Sequence, residues 1–147
     1  MFPCRADDVD KYVPQVIEAI KGIELDMIWL DFEGNPTEDC NWSEYSYQSN
    51  CDYIVNSTKA FQEKGYKNIG IYTTNYEWAY VTGWAYNCPE VSNLPLWYER
   101  IDNKPTLEDY SRIGGWLNAN RKQFTGYSLV CGLGVDKSYQ PDKSELI

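Results

Sequence analysis

Apolar and polar positions along the chain follow two rhythms: short runs rich in β-branched and aromatic residues, and longer stretches with an apolar residue every three or four positions. Their succession predicts repeated strand–helix units and an α/β fold. Val9, Val13, Val16, Ile17 and Ile20 share one face of a helix predicted over 8–20. Pro14, which has no amide proton, must sit in its first turn or kink it, and Gly22 ends it. Phe2 to Cys4 reads as the end of a preceding strand. The most strand-like run is Met27-Ile28-Trp29-Leu30-Asp31-Phe32-Glu33, stopped by Gly34-Asn35-Pro36. A loop rich in Asn, Ser and Tyr continues to about Cys51, and a helix over 54–63 closes at Lys64-Gly65. Strands are predicted at 68–73 and 94–99, a short helix at 76–81 and a helical or turn segment at 107–113. Lys122-Gln123-Phe124 and Gly134-Val135-Asp136 read as short final strands.

With 147 residues, 43% of them apolar, and neither repeat nor linker, the expectation is one domain over 1–147. A net charge of -9 excludes a phosphate-binding surface, so nucleic acid is not an expected partner. Histidine is absent, which removes the commonest general base, the histidine-activated nucleophiles and most zinc sites. An enzyme of this composition must transfer protons with carboxylates.

Cys4, Cys40, Cys51, Cys88 and Cys131 show no C-x-x-C spacing, which favours disulfides over a zinc ribbon or redox motif. Five cannot all pair within the chain, and only Cys40 with Cys51 is suggested by proximity. Asn41-Trp42-Ser43 and Asn56-Ser57-Thr58 are glycosylation sequons, and with the cysteines they point to a secretory route. Met1-Phe2-Pro3-Cys4-Arg5 does not read as a signal peptide, so the expected chain has lost its leader or starts internally. No apolar run approaches the ~20 residues of a membrane span.

Asp31 and Glu33, two apart on one strand, project to the same side. Two close carboxylates in a low-dielectric cleft cannot both ionise easily, so one can keep a proton and act as a general acid, which glycosidic cleavage requires. The D-x-E spacing alone does not separate this from a strand cap beside a solvated loop residue. Tyr72, Trp78, Trp97 and Tyr98 lie at or just after strand ends, where flat rings could stack on a sugar or fill a core. Asp136 is a third acidic candidate at the end of the last strand.

Leu30-Asp31-Phe32-Glu33-Gly34, Gly70-Ile71-Tyr72-Thr73 followed by Trp78, Pro95-Leu96-Trp97-Tyr98, Gly114-Gly115-Trp116, Lys122-Gln123-Phe124 and Gly134-Val135-Asp136 occur in the order of the glycoside hydrolase family 25 lysozymes. The chain resembles most closely those of amoebae and nematodes. The resemblance implies a (β/α)-barrel that is incomplete at its N-terminus, because the family's first, Asp-bearing strand has no counterpart upstream. It leaves strand edges that another chain could cover. It also implies a secreted, lysosomal or phagosomal muramidase cleaving the β-1,4 bond between N-acetylmuramic acid and N-acetylglucosamine of peptidoglycan, without metal or organic cofactor. Glu33 would be the general acid, Asp31 would orient or stabilise the substrate's 2-acetamido group, Asp136 would be a further acidic wall, and Trp97 and Tyr98 would lie on the sugar. Where the family carries Trp-Tyr-Ala-x-Tyr, this chain has Trp97-Tyr98-Glu99-Arg100-Ile101. That change leaves open a second reading, a lysozyme-like structural or glycan-binding protein without turnover.

Overall fold

A computed structural model describes residues 3–35, 37–84 and 87–141. Helix α1 (Val9–Ala19) begins on Asp8, whose side chain accepts the Asp10 amide and satisfies one of the donors left free at a helix start. Its buried stripe comprises Tyr12 and Val13, with Val9, Val16, Ile17 and Ile20 packed beside them. Pro14 lies beyond the first turn, inside the helix. Strand β1 (Ile28–Asp31), helix α2 (Tyr47–Glu63), strand β2 (Ile69–Thr73), helix α3 (Asn75–Thr82) and strand β3 (Leu96–Glu99) follow. The chain ends in a hairpin, β4 (Arg121–Val130) and β5 (Leu133–Tyr139). The five strands form one sheet in chain order, β1 to β4 parallel and β5 antiparallel.

Several elements differ from expectation. Pro3 and Cys4 are not in a strand; Phe2, like Pro36 of the proposed stop, lies outside the described residues. Helix α2 starts seven residues earlier than its apolar periodicity suggests. Ser46 caps it through the Ser49 amide, and its first turns bury the polar Asn50 beside Cys51. The final strands are longer than predicted, because each pairs along the hairpin instead of against a core. The 107–113 segment is turn, so a helix-free stretch carries the chain from β3 to β4.

One face of the sheet is covered. Leu30, Phe32, Ile71, Leu96 and Tyr98 are buried there with Ile54 and Phe61 of α2 and Trp78 and Val81 of α3. The other face is concave, and Trp29, Asp31, Tyr72, Trp97 and Glu99 on it are only half-buried, each alternating with a fully buried neighbour.

Two polar clusters fasten what the core does not. Asn50, 1% exposed, accepts from Arg5 Nε at 2.9 Å and donates to the carbonyls of Trp42 (3.1 Å) and Val81 (2.8 Å). Arg5 lies over the rings of Tyr45 and Tyr53 at 3.8 and 4.7 Å and adds bonds to Ser49. The N-terminal segment, the 41–45 loop and α3 thus meet at one amide. Lys122, fully buried, reaches Asp102 at 2.8 Å and Asp109 at 2.9 Å, tying the helix-free crossover to β4.

Disulfides join Cys4 to Cys40 and Cys51 to Cys88. The Cys40–Cys51 pairing is therefore replaced, and Cys131, at the exposed hairpin tip, is free. Sequence proximity misled here because both bridges close loops of 36 and 37 positions. No helix among the described residues is long and apolar enough to cross a membrane.

Asn50→Ala removes the amide that accepts from Arg5 Nε and donates to the Val81 and Trp42 carbonyls; Arg5 keeps Ser49 and the Trp42 carbonyl keeps the Tyr45 amide, and a buried group left unpartnered costs about 1–3 kcal/mol. The expected loss is about 2–4 kcal/mol after relaxation, read as a lowered urea midpoint with unchanged slope.

Candidate active site

The pleat and the parallel register assemble the concave face. Asp31 pairs with Tyr72 and Tyr72 with Trp97, so the three stand in one row across β1, β2 and β3. Glu33 follows two residues after Asp31 on the same side. A cleft of about 410 Å³ results, walled by Trp29, Asp31, Glu33, Tyr72, Trp97 and Glu99, with Gln123 and Asp136 from the hairpin. Four other depressions of 330 to 450 Å³ are lined without a carboxylate, so chemistry rather than size distinguishes this one.

Trp29 sits over Gly70, where an added Cβ would fall 2.4 Å from the indole; a glycine is the residue that lets the ring lie flat across β2. Trp97 meets Trp29 edge-on at 5.6 Å and Tyr72 at 4.8 Å. The Arg121 guanidinium covers the Trp97 ring at 5.0 Å. Trp97 Nε1 is buried without an acceptor among the described residues, leaving an N–H donor in the cleft wall.

The upper wall is a hydrogen-bonded relay. The Tyr72 hydroxyl is 3.1 Å from both Glu99 Oε2 and Gln123 Oε1, and Gln123 Nε2 donates to Glu99 Oε2 (3.1 Å) and Asp136 Oδ2 (3.3 Å). Burial first, and the Glu99 carboxylate second, keep the Tyr72 hydroxyl protonated well above its ordinary range.

Glu33 is pushed up to about 7, by burial first and then by the charges of Asp31, Glu99 and Glu77. Asp31 is raised to about 6, chiefly by burial. Both carboxyl groups line the same cleft, where two neighbouring carboxylates cannot both ionise easily and one keeps its proton. Asp31 Oδ1 is buried and has no hydrogen-bond partner among the described residues. The arrangement offers a protonated acid beside an ionised carboxylate near neutral pH.

Of the residues singled out from sequence, Asp31, Glu33, Asp136, Tyr72 and Trp97 converge on this cleft. Asp136 stands within β5, not at its end. Trp78 and Tyr98 do not reach it. Trp78 is 1% exposed in the covered layer, edge-on to Trp116 with its Nε1 on the Asn87 carbonyl. Tyr98, 3% exposed, is packed on Tyr110, because the residue after Trp97 on a strand must face the opposite side. Trp29, Glu99 and Gln123 were missed as wall residues, although the same two-residue period marks Trp29 from Asp31 and Glu99 from Trp97. Asn41 uses its side-chain oxygen to hold the Ser43 amide and the Tyr80 hydroxyl, and Asn56 is exposed on α2. Cys51, Cys88 and Glu90 are the one converging set of metal-donor types among the described residues, and its two sulfurs are joined in a disulfide.

The family pattern described as "Lysozyme-like protein 1" matches residues 1–124. A probable GH family 25 lysozyme of Dictyostelium discoideum is 35% identical over 142 residues, covering 95% of this chain and 62% of its own length. Among solved structures, a muramidase from Acremonium alcalophilum superposes with TM-score 0.61 at 24% identity, over 80% of this chain and 52% of that one. The spore cortex lytic enzyme SleM of Clostridium perfringens gives TM-score 0.70 at 20% identity, over 95% and 48%. This chain thus spans about half to two thirds of the length of these proteins, and its five-stranded sheet is part of their barrel.

Two tests address the acid pair. In carboxyl-carbon NMR, Glu33 loses its proton near pH 7, and Asp31→Asn moves that titration to lower pH by removing a neighbouring charge. Both groups bind protons more tightly folded than unfolded, against ordinary values of 3.8 and 4.5. Their contribution to stability is therefore complete below about pH 4 and lost as pH rises through 6 and 7. In urea unfolding the wild type should match the Asp31→Asn/Glu33→Gln variant in acid and fall below it as pH rises through 6 and 7.

Proposed function

The chain belongs to the lysozyme-like family, of the glycoside hydrolase family 25 type, and from that premise we propose that it carries the catalytic cleft of a muramidase. Its substrate is the β-1,4 bond between N-acetylmuramic acid and N-acetylglucosamine in bacterial peptidoglycan. The observation that carries this reading is that Glu33 and Asp31 line one open cleft whose surroundings raise the proton affinity of both.

Glu33 gives its proton to the glycosidic oxygen as the bond from that oxygen to the sugar carbon breaks. Asp31, ionised once Glu33 holds the proton, accepts the N–H of the substrate's 2-acetamido group and orients its carbonyl towards the carbon where positive charge develops. Water then completes the hydrolysis, and Glu33 recovers a proton. Trp97 and Trp29, edge-on to each other, give the sugar an aromatic wall. Asp136 and Tyr72 fix the far side through Gln123. No step calls for a metal or organic cofactor.

Two disulfides and the sequons at Asn41 and Asn56 support a secreted, lysosomal or phagosomal setting, where bacterial walls are met. The edges of β1 and β5, at the two ends of the sheet, are where a further segment or another chain would complete the barrel.

Glu99 favours the second reading, glycan binding without turnover, because it adds a carboxylate to the cleft wall and occupies Tyr72 and Gln123. Clearing of purified peptidoglycan separates the two. Glu33→Gln should lower the rate about 10²- to 10⁴-fold, the range of a general acid. The wild-type profile should be bell-shaped, with activity lost above about pH 7 as Glu33 deprotonates and below about pH 6 as Asp31 gains a proton. Equal clearing by wild type and variant would reject the hydrolase.

A further inference from the structure

A second cleft opens on the helix side of the same rim. Five aromatic rings line it: Tyr45 and Tyr47 ahead of and within α2, Tyr76 and Tyr80 on α3, and Trp84 just beyond. Its volume is about 450 Å³, comparable with the 410 Å³ of the carboxylate cleft. Tyr76 is 70% exposed and Trp84 67%, well beyond what a ring in a monomer's core leaves to water.

Three of these rings are held in place. Tyr47 lies against Gly83, whose positive φ of 75° suits glycine and whose missing side chain leaves room for the ring, since a Cβ would come 2.6 Å from it. The Tyr80 hydroxyl is anchored on Asn41 Oδ1 at 2.9 Å. One face of Tyr45 is taken by the Arg5 guanidinium.

The lining is chemically selective. No lining side chain is charged, on a chain whose net charge is -9, and the hydroxyls of Ser43 and Ser46 stand among the rings. A purely apolar partner would strip water from the Ser43 hydroxyl, while Ser46 already caps α2, and a charged partner would find no counterion. A saccharide fits both: the C–H faces of its rings lie on aromatic planes while its hydroxyls meet serine and tyrosine oxygens.

Proximity to the carboxylate cleft points to the same ligand. Gly34 directly follows Glu33; its amide donates to Glu77 Oε2 at 2.6 Å, and a Cβ on it would touch the Tyr80 ring at 3.2 Å. The aromatic cleft therefore begins one residue from the proposed acid. We propose that it is an accessory binding site for a neutral stretch of the glycan strand whose scissile bond lies at Glu33. This rests on the reading that the carboxylate cleft takes a glycan.

The test measures binding of hexa-N-acetylchitohexaose by calorimetry in a Glu33→Gln background, which prevents turnover. Tyr76→Ala/Trp84→Ala removes the two most exposed rings, and Trp97→Ala disables the carboxylate cleft; far-UV circular dichroism checks that both fold. The expected result is a Kd about tenfold weaker for each. An unchanged Kd in Tyr76→Ala/Trp84→Ala with weakening in Trp97→Ala overturns the accessory site and leaves the proposed function standing. Weakening only in Tyr76→Ala/Trp84→Ala keeps the aromatic site and rejects the carboxylate cleft as a glycan site; no change in either rejects both. A dimer in sedimentation velocity that disappears in Tyr76→Ala/Trp84→Ala, with saccharide binding unchanged, assigns the face to a second copy and also overturns the proposal.

Discussion

Parallel pairing in register is the constraint on which the rest depends. Because Asp31 is in register with Tyr72 and Tyr72 with Trp97, the three stand side by side, and the pleat turns every second residue away from them. One strand can thus build a greasy layer and a reactive wall at once: Leu30 and Phe32 go beneath the helices while Asp31 and Glu33 go into the cleft. A one-residue slip in any pair would exchange the two sets, placing charge in the core and apolar groups in the cleft. The fully buried outer row therefore protects the geometry of the inner one.

Electrostatics sharpen what register provides. Four carboxylates, from Asp31, Glu33, Glu99 and Asp136, share one wall, and the neighbouring cation, Arg121, is turned onto the indole of Trp97. Crowded negative charge in a half-buried place raises proton affinity, so the cleft stores a proton where water would not. Elsewhere the molecule does the reverse, surrounding Lys122 with acids and holding Asp102 down to about 2 through that hydrogen bond. The same side-chain chemistry becomes reactive or structural according to which charge it faces.

Much of this was legible in the residues themselves. Short apolar runs rich in β-branched and aromatic residues revealed β1, β2 and β3, and the spacing of Asp31 and Glu33 placed them on one side. Strict use of that period would also have excluded Tyr98, the immediate neighbour of Trp97, and admitted Glu99. Other features are not written in local pattern. The first turns of α2 bury Asn50 through contacts with residues 5, 42 and 81, which no window of sequence can hold together. Both disulfides close long loops for the same reason. Trp78 has the exposure of a core residue because α3 presents it to Trp116, a contact across 38 positions.

The helix-free crossover between β3 and β4 has a consequence for how acidity acts on the molecule. It is docked by Lys122 on Asp102 and Asp109. With Asp102 held near 2, that carboxylate keeps its charge in acid that would neutralise an ordinary aspartate. Its contribution is lost only as pH falls towards 2, far below the range in which Glu33 exchanges its proton. Latch and reactive wall thus answer to separate windows of acidity, so conditions that load the acid with its proton leave the Asp102–Lys122 contact intact.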